Sequence, residues 1–191
     1  MALPEPYLRL LTVLAAACDA YEKATGHSPV LVGGGAIAIQ TQGVFMSGDF
    51  DFFAPNDEVL HRCLLEVGFV AEERVGRLKG GYHHPKFPEY GIEAISGQLF
   101  DGRSDRERLI RLTLTGDHSI VIPSVEDMIA DRLGQHAIAA KTDTSRLEQA
   151  LVLFKLARSL DLAYLKRRIK GEGADVHLLD TDAYGERGGG R

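Results

Sequence analysis

The chain has 191 residues, 45% of them hydrophobic and 26% charged, and a formal net charge of −5. That size suits one ample domain or a domain with a helical extension, and the apolar share excludes wholesale disorder. The acidic balance excludes a general electrostatic pull toward nucleic acid or anionic membranes and leaves only local basic patches for such contacts.

No apolar run approaches the ~18 residues of a membrane span. The start Met1-Ala2-Leu3-Pro4-Glu5 lacks the basic residues that open a signal peptide. The expectation is a cytoplasmic protein with no membrane contact. Cys18 and Cys63 both fall on apolar faces of predicted helices, so two buried thiols are expected rather than a disulfide. No internal repeat is visible.

In chain order, residues 4–25 read as an amphipathic helix, with Leu8, Leu11, Leu14, Cys18 and Tyr21 at three- and four-residue spacing and Gly26 at its end. Pro29-Val30-Leu31-Val32 reads as a short buried strand. Gly33 to Gly35 form a turn, Ala36 to Ile39 start a small helix, and residues 49–53 form the second strand. Asn56 is a helix N-cap, with Asp57 and Glu58 favourable at the positive helix end. Phe69–Val75 and Tyr90–Ser96 are further strands, separated by the turn-rich loop Gly80-Gly81-Tyr82-His83-His84-Pro85. Leu112–Leu114 and Ser119–Ile122 form a last hairpin. From Ser124 the pattern turns helical: Ser124-Val125-Glu126-Asp127 resembles a capping box, and helices follow over 143–159 and 161–170.

The segment with chemistry in it is Val32-Gly33-Gly34-Gly35-Ala36 followed by Ser47-Gly48-Asp49-Phe50-Asp51-Phe52. Alternate residues of a strand share a face, so Asp49 and Asp51 point one way while Phe50 and Phe52 point into a core. Two neighbouring carboxylates repel unless a cation or proton lies between them. A divalent cation resolves that repulsion, and a glycine-rich turn receives phosphate. The alternative is a pair satisfied by backbone amides or solvent.

In this order the motif resembles that of the nucleotidyltransferase superfamily with the DNA polymerase beta-like fold. Its signature, a hydrophobic residue and Gly-Gly, a spacer, then Asp-hydrophobic-Asp-hydrophobic, is met by Val32-Gly33-Gly34 and Asp49-Phe50-Asp51-Phe52. Within the superfamily it is most similar to the minimal bacterial branch that includes the nucleotidyltransferase toxins of abortive-infection systems. The match covers residues 29–53.

The resemblance implies an α+β fold: a nucleotidyltransferase-like mixed β-sheet flanked by helices, with a C-terminal helical region. The expected divisions are a core over 1–123, a helical region packed on it over 124–170, and a flexible tail over 171–191. In the family a third acid on a neighbouring strand completes the metal site. Glu93, in Gly91-Ile92-Glu93-Ala94-Ile95, is the candidate, its alternative being an exposed strand residue or ion-pair partner.

The implied chemistry is Mg2+-dependent nucleotidyl transfer from a nucleoside triphosphate (NTP) to a hydroxyl acceptor. Asp49, Asp51 and Glu93 are then the catalytic and metal-binding residues for two Mg2+ ions. Gly33, Gly34, Ser47 and Arg132 would bind the nucleotide. Two positions depart from the branch: Phe45 stands where an Arg is common, and Arg132 where a Lys is common, with a surface arginine as the alternative for Arg132. The acceptor is a protein, an RNA end or a small molecule, a macromolecule being favoured, and a toxin–antitoxin-like partner protein fits the same resemblance. The competing class is a degenerate member that binds nucleotide or a partner without turnover.

Three further features carry weaker signals. His83 and His84 border the substrate pocket or are simply exposed. Tyr82 and Lys79 are candidates to touch base or phosphate. The basic run Lys166–Lys170 complements a helix C-terminus rather than forming an RNA patch.

Overall fold

The computed structural model describes residues 2–72, 81–95, 97–114 and 116–180. Contacts divide the chain into two compact units, Met1–Pro123 and Ser124–Arg191.

The first unit begins with α1 (Glu5–Thr25), β1 (Val30–Val32), α2 (Gly33–Gln40), β2 (Asp49–Phe53) and α3 (Asp57–Glu66). It continues with β3 (Val70–Ala71), β4 (Tyr82–His84), β5 (Phe87–Ile95), β6 (Ile110–Thr113) and β7 (Ser119–Ile122). The strands form one mixed sheet in the order β3-β4-β5-β2-β1-β7-β6. β2 lies antiparallel to β1 and parallel to β5, so the two strands that hold the aspartates and Glu93 are neighbours at the sheet centre.

One face of the sheet is buried under helices. Tyr7, Leu10, Leu11, Leu14 and Tyr21 of α1 are almost wholly inaccessible, as are Leu31, Phe50, Phe52 and Ile92 of the strands. Their apolar spacing at three and four residues on the helix and two on the strands is what lets both elements bury against one another. Tyr7, Phe50 and Tyr90 pack as an aromatic set, with Tyr7–Phe50 centroids 4.8 Å apart. On the other face Val30, Val32, Phe53 and Val121 form a second apolar cluster, covered by Leu99 with Phe100 and Leu109 beside it.

The caps fall where the side chains provide them. Asn56 Oδ1 accepts from the Val59 N–H to start α3, and Gly26 ends α1 in the left-handed conformation at φ 76°. Cys18 and Cys63 are buried and free, as expected. Burial pushes the Cys18 thiol up, far from a reactive thiolate.

Two expectations need correction in this unit. The segment read as a loop at 80–85 contains β4, and β5 starts at Phe87, because Tyr82–His84 finds hydrogen-bonding partners on both sides in β3 and β5. His84 is a core residue rather than a pocket-lining one: it packs edge-on against Phe69 at 5.1 Å, and its Nδ1 accepts from the Lys86 N–H. Of the strand expected over Phe69–Val75, Val70–Ala71 is strand and Phe69 and Glu72 are not, while residues 73–75, like Lys79 and Ser96, lie outside the described residues.

The second unit holds α4 (Val125–Ile138), α5 (Ser145–Leu156) and α6 (Leu162–Gly171), then a 3-10 turn over Val176–Leu179. Ser124 Oγ accepts from the Asp127 N–H at 3.1 Å and donates to Asp127 Oδ2 at 2.8 Å, a closed cap at the start of α4. Asp127 also receives Tyr164 Oη and, at 2.5 Å, Arg168 Nε. Arg168 and Asp127 have side-chain exposures of 1% and 0%, so this is a buried ion pair tying α4 to α6. The basic run at the end of α6 therefore has one member turned inward, which its spacing among Lys and Arg conceals. The tail also departs from expectation before residue 181: Leu179 is buried, its 3-10 turn packing on α5 and α6. Residues 181–191 lie outside the described residues.

Arg168 Nη2 also pairs with Glu172 Oε1 at 2.8 Å, so Asp127→Ala leaves the guanidinium one partner of two and should destabilise the helical unit by about 3 kcal/mol, measured by urea unfolding. The double variant Asp127→Leu/Arg168→Met should recover only part of that loss, because Glu172 then loses its own partner. A second expectation concerns acid. The Arg111 guanidinium, with help from Ser28, holds the Glu22 carboxyl below its ordinary range. The stability from this pair is complete above the ordinary carboxylate pKa and is lost as pH falls through the depressed one. Glu22→Gln should accordingly flatten the acid limb of a Tm-against-pH curve.

Candidate active site

β2 runs out of a loop that returns from α2, and its pattern of alternate exposure follows its sequence. Asp49 is exposed and Asp51 half-buried, while Phe50 and Phe52 are buried beneath. The register pairs Asp49 with Gly91 and Asp51 with Glu93 on β5, and Val32 with Asp51 on β1. Side chains in register on neighbouring strands share a face, so Asp49, Asp51 and Glu93 stand together on the face away from α1.

Within that arrangement the two aspartates lean apart. A Cβ at Gly33 would overlap Asp51 Oδ2, so the Asp51 carboxylate lies over the start of α2. A Cβ at Gly91 would come within 2.8 Å of Asp49 Oδ1, so Asp49 leans the other way, toward β5. Gly33 also has φ +62°, a conformation that any other residue adopts at a cost. Among the described residues, no three His, Cys, Asp or Glu side chains are gathered into a group able to hold a metal. Convergence of the three carboxylates was expected; they share a face without closing on one point, because β2 sends its two aspartates to opposite neighbours.

The donor set nonetheless fits a hard divalent cation. All three groups offer carboxylate oxygens, the ligands Mg2+ takes alongside water and phosphate. The glycines opposite Asp49 and Asp51 leave their carboxylates room that a side chain would fill.

Ser47 lies against Gly34, and a Cβ at Gly34 would come within 2.5 Å of Ser47 Oγ. Ser47 Oγ donates to the Asp49 carbonyl at 3.0 Å and accepts from the Asp49 N–H at 3.3 Å. It thus bends the chain into β2 and faces the glycine turn. α2 follows β1 with no intervening residue and no side-chain cap, so the first N–H groups of the helix have no partner within it. Gly33, Gly34, Ser47, Asp49, Asp51 and Glu93 are therefore brought to one place.

Arg132 belongs to α4 of the helical unit, is buried, and bonds Asp131 Oδ2 through Nε and Nη2, with Nη1 3.5 Å from Gln149 Oε1. Phe45 is half-buried in the loop between α2 and β2, and its N–H reaches Thr41 Oγ1 at 3.4 Å.

Gly91 is the site residue that sequence reading passed over. Its signal was present: a glycine inside a strand pattern marks a bulge or a close approach. Nothing local says that the approaching group is Asp49, because that depends on the register of two strands forty residues apart.

No family model matches the chain, and no curated protein matches it. Solved structures do. An antigenic nucleotidyltransferase-like protein from Paracoccidioides brasiliensis matches with TM-score 0.60 at 13% identity, over 89% of this chain and 88% of that one. The antibiotic-resistance factor ANT(2'')-Ia in solution matches with TM-score 0.56 at 12% identity, over 93% and 98% of the two chains. The same factor in complex with adenylyl-2''-tobramycin matches with TM-score 0.56 at 11% identity, over 86% and 97%. JHP933 from Helicobacter pylori matches with TM-score 0.53 at 16% identity, over 97% and 82%. At these identities the likeness establishes the architecture: the chain has a nucleotidyltransferase-like fold.

Proposed function

We propose that the chain is a metal-dependent nucleotidyltransferase that moves a nucleoside monophosphate from an NTP to a hydroxyl acceptor. The observation that carries this reading is the β2–β5 register, which sets Asp49, Asp51 and Glu93 on one face beside the glycine turn. Two Mg2+ ions held by these carboxylates would polarise the α-phosphorus and neutralise charge on the attacking and leaving oxygens.

The chain's own groups supply the rest. The N–H groups at Gly33 and Gly34 open α2 and receive phosphate oxygens, as helix N-termini do. Ser47 Oγ, beside Gly34, hydrogen-bonds the same phosphates. Glu93 takes the proton of the acceptor hydroxyl as its oxygen bonds to the α-phosphorus and the bond to pyrophosphate breaks. Positioning and fixed electrostatics account for most of the rate. Arg132 is left out of the binding set because Asp131 already holds its guanidinium.

The favoured acceptor is a protein or RNA, on the toxin-like resemblance of residues 29–53, which also motivates an antitoxin-like partner. The complex of ANT(2'')-Ia with adenylyl-2''-tobramycin motivates an aminoglycoside arm in the test. A second reading, nucleotide or partner binding without turnover, is favoured by Phe45 in the place of a basic residue and by the commitment of Arg132 to Asp131.

The test incubates the full chain with Mg2+ and each α-phosphate-labelled NTP, with cell extract, total RNA or tobramycin as acceptor. Label on any acceptor with the wild type, reduced about 1,000-fold or more in Asp49→Ala/Asp51→Ala, supports transfer and identifies the acceptor. Absence of transfer together with Mg2+-dependent thermal stabilisation by NTP selects the second reading, and no response to either ligand sinks both. Gly33→Ala should lower transfer about 100-fold, since its Cβ displaces the Asp51 carboxylate. Its Tm should fall too, because the left-handed conformation costs a non-glycine residue about 1–3 kcal/mol.

A further inference from the structure

At the opposite end of β1 and β2 from the carboxylates, the first unit contains an open cavity of about 320 Å³. Its floor is apolar: Val30, Phe53 and Val121 from the sheet, with Leu99 and Leu109 above them. One wall is polar and rigid. Arg111 Nη1 donates to Glu22 Oε2 and Ser119 Oγ, and Nη2 donates to Glu22 Oε1 and Ser28 Oγ, all at 2.7–2.9 Å. This wall cancels its own charge, because Glu22 and Arg111 form a two-pronged pair.

The rim differs from the wall. Arg106 lines the cavity from the short 3-10 turn Arg106–Arg108, is exposed, and forms no ion pair or hydrogen bond through its side chain among the described residues. The cavity therefore combines a greasy floor, a self-neutralised wall, the His27 imidazole in its lining and one uncommitted guanidinium. Apolar concavities of this size with a few fixed polar groups are the usual form of small-ligand sites.

We propose that this cavity binds a small apolar carboxylate, its hydrocarbon body on Val30, Phe53 and Val121 and its carboxylate on Arg106. A guanidinium offers a planar fork that matches a carboxylate. One such cation beside an already neutralised Glu22 suits a single negative charge rather than a doubly charged phosphate. The site is independent of the nucleotidyl-transfer reading: it uses none of Asp49, Asp51, Glu93 or the glycine turn.

The test titrates the full chain with 2-naphthoate and 4-tert-butylbenzoate, each beside its uncharged carboxamide, and follows methyl shifts by NMR. The expected result is saturable binding of at least one carboxylate at about a millimolar or tighter, with shifts at Val30, Leu99, Leu109 and Val121. Arg106→Gln, an exposed substitution, should weaken that carboxylate about tenfold and leave the carboxamide unchanged. Leu109→Trp, which fills the cavity, should abolish binding of both. Equal affinity for acid and amide, no effect of Arg106→Gln, shifts centred elsewhere, or no saturable binding by either acid would each overturn the proposal.

Discussion

The pairing of β2 between β1 and β5 is the constraint on which the rest of the first unit depends. A strand has a period of two, so one register decides both faces at once. With Asp51 beside Glu93 and Val32, the even-numbered Phe50 and Phe52 meet Tyr7 and the helices, and the odd-numbered acids face out. A slip of one residue would bury the acids and expose the phenylalanines. The core therefore enforces the site: burying Phe50 and Phe52 is the same event as displaying Asp49 and Asp51.

Glycines set the finer geometry. Gly33 and Gly91 flank β2 on either side, one at the end of β1 and one on β5, and each admits one carboxylate. The direction in which each aspartate leans is thus written in a neighbouring strand rather than in β2 itself. A bound cation and triphosphate would work against modest side-chain rotations, since the backbone already shares a face.

Much of the fold was legible because its signals are local. The caps at Asn56 and Ser124, the left-handed Gly26 and the alternation through Asp49–Phe53 each follow from a few adjacent residues. β4 was not legible, because Tyr82-His83-His84 carries polar and turn-prone residues and becomes a strand only by tertiary pairing with β3 and β5. Arg168 was hidden for a similar reason. Its sequence neighbours are cations too, and the buried Asp127, with Glu172 beside it, explains its inward turn. At the site, the acids and the glycine turn were readable from spacing, whereas the role of Gly91 and the commitment of Arg132 to Asp131 required the fold.

The ends of the sheet carry a consequence of their own. Among the described residues the sheet is bordered by β3, two residues long, and by β6, four residues long. A free edge is a template on which another chain can add a strand. β6 carries Arg111, whose guanidinium is tied by two prongs to Glu22 of α1, so this border strand is fastened to a helix rather than left loose. The same clasp that shapes the cavity wall thus joins the border strand of the sheet to the first helix of the chain, closing the first unit across 89 positions of sequence with one ion pair.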